Sequence, residues 1–203
     1  MSTLGTIEAL RDCYPQPLER SLRKSLTSLD RHMRRFIGLS PFLCLGTSGS
    51  GGADVTPRGD SPGFVHVLDD QTLLIPDWPG NNRLDSLTNL VGSPNVGLLF
   101  FIPGVNETLR VNGTAEITME PTLVERWTVN GKHPRSAIRV TVREAYLHCA
   151  KALMRSRLWE DDYRVERTEL PTYAQMLKDQ GVTTQSVDEL QAAIDDSYKT
   201  RLY

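Results

Sequence analysis

The sequence predicts a mainly β fold of the α+β class, an antiparallel barrel in one domain with helices at both ends. Three observations carry this. Between residues 42 and 147 apolar residues fall in short runs, several alternating with polar ones, the period of half-buried strands. Glycine and aspartate turns separate successive runs in the manner of hairpins. Strands and helices do not alternate strictly, which disfavours a doubly wound parallel sheet.

The elements follow in order. Leu18, Leu22, Leu26, Leu29, Met33 and Phe36 form one apolar stripe, which predicts a helix stopped at Ser40-Pro41. Phe42-Leu43-Cys44-Leu45 is a strand, residues 47–52 a glycine-rich turn, and residues 53–58 the return strand. Strands are expected at residues 64–68 and 72–76, on either side of Asp69-Asp70-Gln71. The unbroken run Val96-Gly97-Leu98-Leu99-Phe100-Phe101 reads as a strand buried on both faces. Residues 107–118 and 136–147 are long alternating strands. Helices are expected around Leu84, Leu87, Leu90 and Val91, from Pro121 through Trp127 to Asn130-Gly131, and over residues 149–158. Thr172 caps another, closed by Gly181, and Val187, Leu190, Ile194 and Tyr198 mark a last amphipathic stripe.

Composition excludes several classes. The chain has 203 residues, is 39% hydrophobic and carries a net charge of -2. That is enough apolar content for a packed core, and it provides no basic field for nucleic acid or a membrane surface. No apolar window approaches the roughly 18 residues that span a bilayer. The first 15 residues lack the basic and apolar regions of a secretory signal. Cys13, Cys44 and Cys149 are far apart and odd in number, without a Cys-x-x-Cys pair. The expectation is a reduced cytoplasmic protein without structural zinc.

No nucleophilic triad is legible, because His32, His66, His133 and His148 are scattered outside any hydrolase motif. The glycines from Gly46 to Gly52 lack the Gly-Lys-Ser/Thr ending of a phosphate loop, and no helix follows them. The informative segment is Ile75-Pro76-Asp77-Trp78-Pro79-Gly80-Asn81-Asn82-Arg83-Leu84. A strand ends, a rigid loop follows, and a helix starts with two amides and an arginine. Free N–H groups and the positive dipole end of such a helix suit a phosphate, with Asn81 or Asn82 capping or donating and Arg83 making a bidentate contact. Thr56-Pro57-Arg58 ends a strand expected to neighbour residues 72–76, so Arg58 and Arg83 would share one rim. The plainer readings are an ordinary cap with a surface arginine, and an Arg58 that pairs with Asp60 or Asp77. On residues 107–113, alternating polar groups could reach the polar edge of a flat ring.

The ordered series Thr56-Pro57-Arg58-Gly59-Asp60, Thr72-Leu73-Leu74-Ile75-Pro76-Asp77, Pro79-Gly80-Asn81-Asn82-Arg83-Leu84 and Glu107-Thr108-Leu109-Arg110-Val111-Asn112-Gly113 resembles the pyridoxamine 5'-phosphate oxidase-like family. The resemblance spans residues 42–158 and implies a six-stranded, homodimeric split barrel that binds FMN at the subunit interface. Residues 1–41 would then be an N-terminal helical segment and residues 159–203 a helical extension. It implies that Arg58 faces the FMN phosphate or ribityl chain, that Ile75 and Pro76 lay backbone along the flavin ring, and that Asn82 and Arg83 hold the phosphate. Thr108 matches a flavin-contacting position, Arg110 would support it from the same strand face, and Lys151 would reach across from the second subunit.

The segment after Pro171 departs from the oxidase proper, which argues against pyridoxamine phosphate as the substrate. The function expected is an FMN-dependent oxidoreductase of unknown substrate, its chemistry carried by the cofactor. The alternative is a module that binds or senses flavin, haem or deazaflavin without robust catalysis.

Overall fold

The computed structural model describes residues 3–203. Seven strands form one antiparallel sheet: β1 (Phe42–Gly49), β2 (Gly52–Gly59), β3 (His66–Val67), β4 (Thr72–Asp77), β5 (Asn95–Phe101), β6 (Thr108–Thr118) and β7 (Ser136–His148), in the spatial order β2-β1-β5-β6-β7-β4-β3. The family resemblance implies six strands; the shortest of the seven, β3, is a two-residue pairing against Leu73 and Leu74. The edge strands β2 and β3 share no ladder, so the sheet does not close by hydrogen bonding. One expectation is corrected here. β2 does not neighbour β4 in the sheet; β2 pairs only with β1, and β4 with β7 and β3.

Alternation buries one face. Leu43, Leu45, Val96, Leu98, Phe100, Leu109, Val111, Ile138, Val140, Leu73 and Ile75 make the main core. The sequence marked β5 as buried on both faces, but its odd residues Gly97, Leu99 and Phe101 stay half-exposed. The strand buried on both faces is β4. Leu73 and Ile75 enter the main core, while Leu74 packs on the other side with Val124, Trp127 and Ala137. A bulge at Asn112 and Gly113 shifts the β6–β7 register. A Cβ at Gly113 would lie 2.1 Å from the Thr141 carbonyl oxygen, so this bend requires glycine.

The N-terminal stripe does not form one helix. It is divided between α2 (Glu19–Arg23) and α3 (Arg31–Leu39), preceded by α1 (Ile7–Cys13). Two causes are visible. Asp30 Oδ1 accepts from the His32 and Met33 backbone N–H groups at 2.8 Å, starting a new helix. Leu26 also bridges Ala145, with N···O distances of 3.0 and 2.8 Å, on the stretch of β7 that β4 leaves unpaired beyond Thr141. α3 then buries Met33, Phe36 and Ile37 against the sheet.

α4 (Asp85–Gly92) precedes β5, and α5 (Pro121–Val124) precedes β7. α5 ends well before the expected stop. Trp127 turns inward and donates its indole N–H to the Phe64 carbonyl at 2.7 Å, and Asn130-Gly131, both with positive φ, make a two-residue hairpin between Val129 and Lys132. α6 (Lys151–Ser156), α7 (Tyr173–Asp179) and α8 (Val187–Thr200) follow; Thr172 caps α7, and Ser186 and Glu189 form a capping box on α8. No helix among the described residues is long and apolar enough to cross a membrane.

Candidate functional site

A cavity of about 690 Å³ opens where the end of β2, the loop from β4 to α4 and the start of β7 meet. Thr56, Pro57, Arg58, Asp77, Asn81, Asn82, Arg83 and Leu84 line it, as do Trp78, Asp85, Ser86, Ile117, Met119 and Arg135. The eight named first are sequence-predicted site residues. Although β2 and β4 share no ladder, Arg58 Nη1 donates to Asp77 Oδ1 at 2.7 Å and joins their ends. Their side chains are 21% and 16% exposed, so the pair is largely shielded from water.

Polar contacts fix α4 against the β1–β2 hairpin. Ser86, buried, lies 3.0 Å from Thr56 Oγ1 and donates to Asp54 Oδ2 at 3.2 Å; Asn89 donates to Thr47 Oγ1 at 3.1 Å. The α4 start differs from the expected cap. Neither Asn81 nor Asn82 caps the helix; the N-cap residue is Leu84, with φ of 59° and no side-chain cap. Asn81 Oδ1 instead accepts from the Arg83 backbone N–H at 3.0 Å. Asn82 and Leu84, on either side of Arg83, are both left-handed. Asparagine tolerates that conformation, whereas leucine adopts it at a cost of about 1–2 kcal/mol.

Arg83 is 72% exposed and donates Nε to Asp85 Oδ2 at 2.8 Å; that hydrogen bond and charge raise its pKa. The lining therefore holds three guanidiniums (Arg58, Arg83, Arg135) and two carboxylates (Asp77, Asp85), a net +1. Of the other predicted residues, Ile75 is fully buried in the core, and Pro76 lines a smaller adjoining pocket. Beyond Leu74 the outer edge of β4 has no strand partner among the described residues, but Ile75 and Pro76 are both buried, so a ligand meets that backbone only if the groups covering it move.

Thr108, Arg110 and Lys151 do not line the cavity. Thr108 stands nine residues along β6 from Ile117, about 30 Å of strand path at ~3.3 Å per residue, bent at the Asn112/Gly113 bulge. Its neighbourhood is a second polar cluster. The Arg110 guanidinium lies 4.5 Å from the Tyr146 ring and Lys24 Nζ 4.7 Å from it, while His148 packs 4.9 Å from the same ring. Burial lowers the His148 pKa first, and the charges of Arg110 and Lys24 lower it further. Lys151, exposed, opens α6 just after His148. One chain thus carries two separate groups of predicted site residues.

Sequence reasoning assigned no role to Trp78 or Arg135. Trp78 sits inside the segment singled out but carries no local phosphate-binding signal. Arg135 reaches the site only because Ser136 pairs with Asp77, a contact between residues 59 apart in sequence.

Comparison with known proteins places the fold. Residues 29–149, more than half of the chain, match the family model described as pyridoxamine 5'-phosphate oxidase. A point-variant HupZ from Group A Streptococcus is similar at a TM-score of 0.50 and 15% identity, over 59% of this chain and 98% of that one. An FMN-binding protein from Syntrophomonas wolfei subsp. wolfei gives 0.44 and 12%, over 59% and 83%. A Clostridium acetobutylicum protein related to general stress protein 26 gives 0.43 and 14%, over 59% and 90%. No curated protein matches. The family match begins within the loop before α3 and ends at Cys149, so α1, α2, α6, α7 and α8 lie outside it. By the family match across its β sheet, this chain belongs to the pyridoxamine 5'-phosphate oxidase family.

Proposed function

We propose that this chain is an FMN-binding flavoprotein and an oxidoreductase of as yet unassigned substrate, working as a cytoplasmic homodimer. The observation that carries the reading is the 690 Å³ cavity, which gathers Arg58 and Arg83 from elements 25 residues apart. Its volume falls in the range of cofactor sites, about 300–1,000 Å³. Its donor set suits a flavin nucleotide: guanidiniums for a phosphate, and amides and hydroxyls from Asn81, Asn82, Thr56 and Ser86 for a ribityl chain. Asp77 and Asp85 already engage the two arginines, so a phosphate must compete with or rearrange those pairs.

In this reading Arg83 and Arg58 hold the phosphate, and the backbone of Ile75 and Pro76 lies along the ring. Thr108, Arg110 and Lys151 come from the second subunit, which explains why they stand apart from the cavity within one chain. When bound, the flavin supplies hydride-transfer chemistry. The chain's own groups bind and orient it, and the Arg110 cluster favours negative charge near the ring.

The test is binding. Apoprotein titrated with FMN and with riboflavin should prefer FMN by at least tenfold, reflecting the phosphate contacts; equal affinities overturn the phosphate assignment. Anaerobic reduction of the bound flavin by NADPH or NADH then separates an oxidoreductase from a binding or sensing module.

A further inference from the structure

Beside the cavity lies a smaller pocket of about 150 Å³, lined by Pro57, Arg58, Gly59, Phe64, Pro76 and Trp78. Two of these side chains carry a buried N–H donor without a hydrogen-bond acceptor, Arg58 Nε and Trp78 Nε1. A buried, unmatched donor costs about 1–3 kcal/mol, so two on side chains that line one pocket favour an acceptor there, which a small shift of these side chains would admit.

Both groups are held in place. Arg58 is fixed through Nη1 by Asp77. Trp78 packs edge-to-face on Tyr203, with ring centroids 5.0 Å apart. Tyr203 in turn donates its hydroxyl to Asp60 Oδ1 at 2.7 Å, a contact that raises the Tyr203 pKa, and accepts from Lys132 Nζ at its carbonyl at 2.9 Å. The chain's other two indoles are satisfied: Trp127 donates to the Phe64 carbonyl at 2.7 Å and Trp159 to the Val105 carbonyl at 2.9 Å. Trp78 is the exception.

We infer that this pocket receives a carboxylate of a small organic molecule, with one oxygen on Arg58 Nε and the other on Trp78 Nε1. The guanidinium selects an anion, and two donors on separate side chains suit a group with two acceptor oxygens. The pocket's one guanidinium is already paired with Asp77, so its charge suits a monoanion better than a doubly charged phosphate. The pocket shares Pro57, Arg58 and Trp78 with the larger cavity, so a molecule anchored there extends toward it. As a substrate site this rests on the flavin reading; as a carboxylate pocket it does not.

The experiment follows the three indole N–H resonances of ¹⁵N-labelled full-length protein during titration with sodium acetate, with sodium chloride holding ionic strength constant. Trp78→Phe assigns the resonance. Should that variant fail to fold, Trp159→Phe and Trp127→Phe assign it by exclusion. The expected result is a saturable downfield shift of the Trp78 resonance alone, with half-saturation at least tenfold higher in Arg58→Lys. An unmoved Trp78 resonance overturns the proposal. So does an equal shift with chloride, tighter saturation by inorganic phosphate, or FMN moving the resonance and abolishing the acetate response, which would give both donors to the flavin. Flavin absorbance of the same samples separates the two readings. A colourless protein that takes up no FMN but whose Trp78 responds keeps the pocket and loses the flavin; a yellow one whose Trp78 is inert does the reverse.

Discussion

Arg58 on β2 and Asp77 at the end of β4 form a 2.7 Å ion pair between strands that share no backbone hydrogen bond. The pair ties the free edge of the sheet to the strand that leads into the Arg83 loop. It also sets up a competition, because the carboxylate that positions Arg58 occupies a guanidinium nitrogen that an incoming phosphate would use. Asp77→Asn removes that competitor while keeping the shape. FMN affinity should rise about tenfold while the apoprotein loses about 1–3 kcal/mol, opposite signs from one substitution. Isothermal titration and chemical denaturation read the two; a fall in affinity would mean that Asp77 organises the site rather than competing in it.

Arg83→Ala should behave differently. Its side chain is 72% exposed and its pairing with Asp85 is a surface contact, worth at most about 1 kcal/mol. Melting temperature should hardly move, whereas FMN affinity should fall about 10- to 100-fold and riboflavin affinity should not. An equal loss for both flavins would remove Arg83 from the phosphate.

The proposed two-subunit site has its own test. Arg58→Ala and Arg110→Ala should each weaken FMN binding as homodimers. Co-expressed with different tags, they form a mixed dimer in which one site carries both changes and the other carries none. That dimer should bind about one FMN with wild-type affinity. A mixed dimer with no intact site would show that both residues serve the same subunit's flavin; unchanged FMN affinity in the Arg110→Ala homodimer would show that Arg110 serves none.

How much of this was legible in the sequence depended on the range of the interaction. Strand alternation and hairpin turns are local, and they located β1, β2, β4, β6 and β7. The Ile75–Leu84 segment announced itself through its own residues, and the structure puts most of it on the cavity. The break in the N-terminal stripe was invisible, because Leu26 leaves the helix to pair with Ala145, 119 residues away. Arg135 and Trp78 were missed for the same reason: their places follow from the β4–β7 register and from Tyr203 folding back. The caps at Asn81 and Asn82 failed for a different reason, a left-handed Leu84 that moves the helix start past both amides.

Acid should loosen the N-terminal segment first. Glu144 accepts from Ser25 Oγ at 2.6 Å and from Asn112 Nδ2 at 2.9 Å; these bonds, the Ser25 one foremost, lower its pKa from 4.5. A depressed carboxylate pKa means the contribution is full above the unfolded value and is lost as pH falls through the folded one. Thermal melts from pH 6 to pH 3 should show a loss of stability below about 4.5 that Glu144→Gln lacks. Amide exchange at Leu26 should accelerate over the same window; parallel curves for both proteins would remove Glu144 from the transition.

An FMN held in the cavity between β2, β4 and α4 would stay with the protein through purification. The most direct measurement is the flavin content of the protein, purified and then incubated with excess FMN and desalted. With an FMN site there the protein is yellow and carries about one FMN per chain, lowered sharply by Arg58→Ala. A colourless, folded protein that retains no FMN would contradict it.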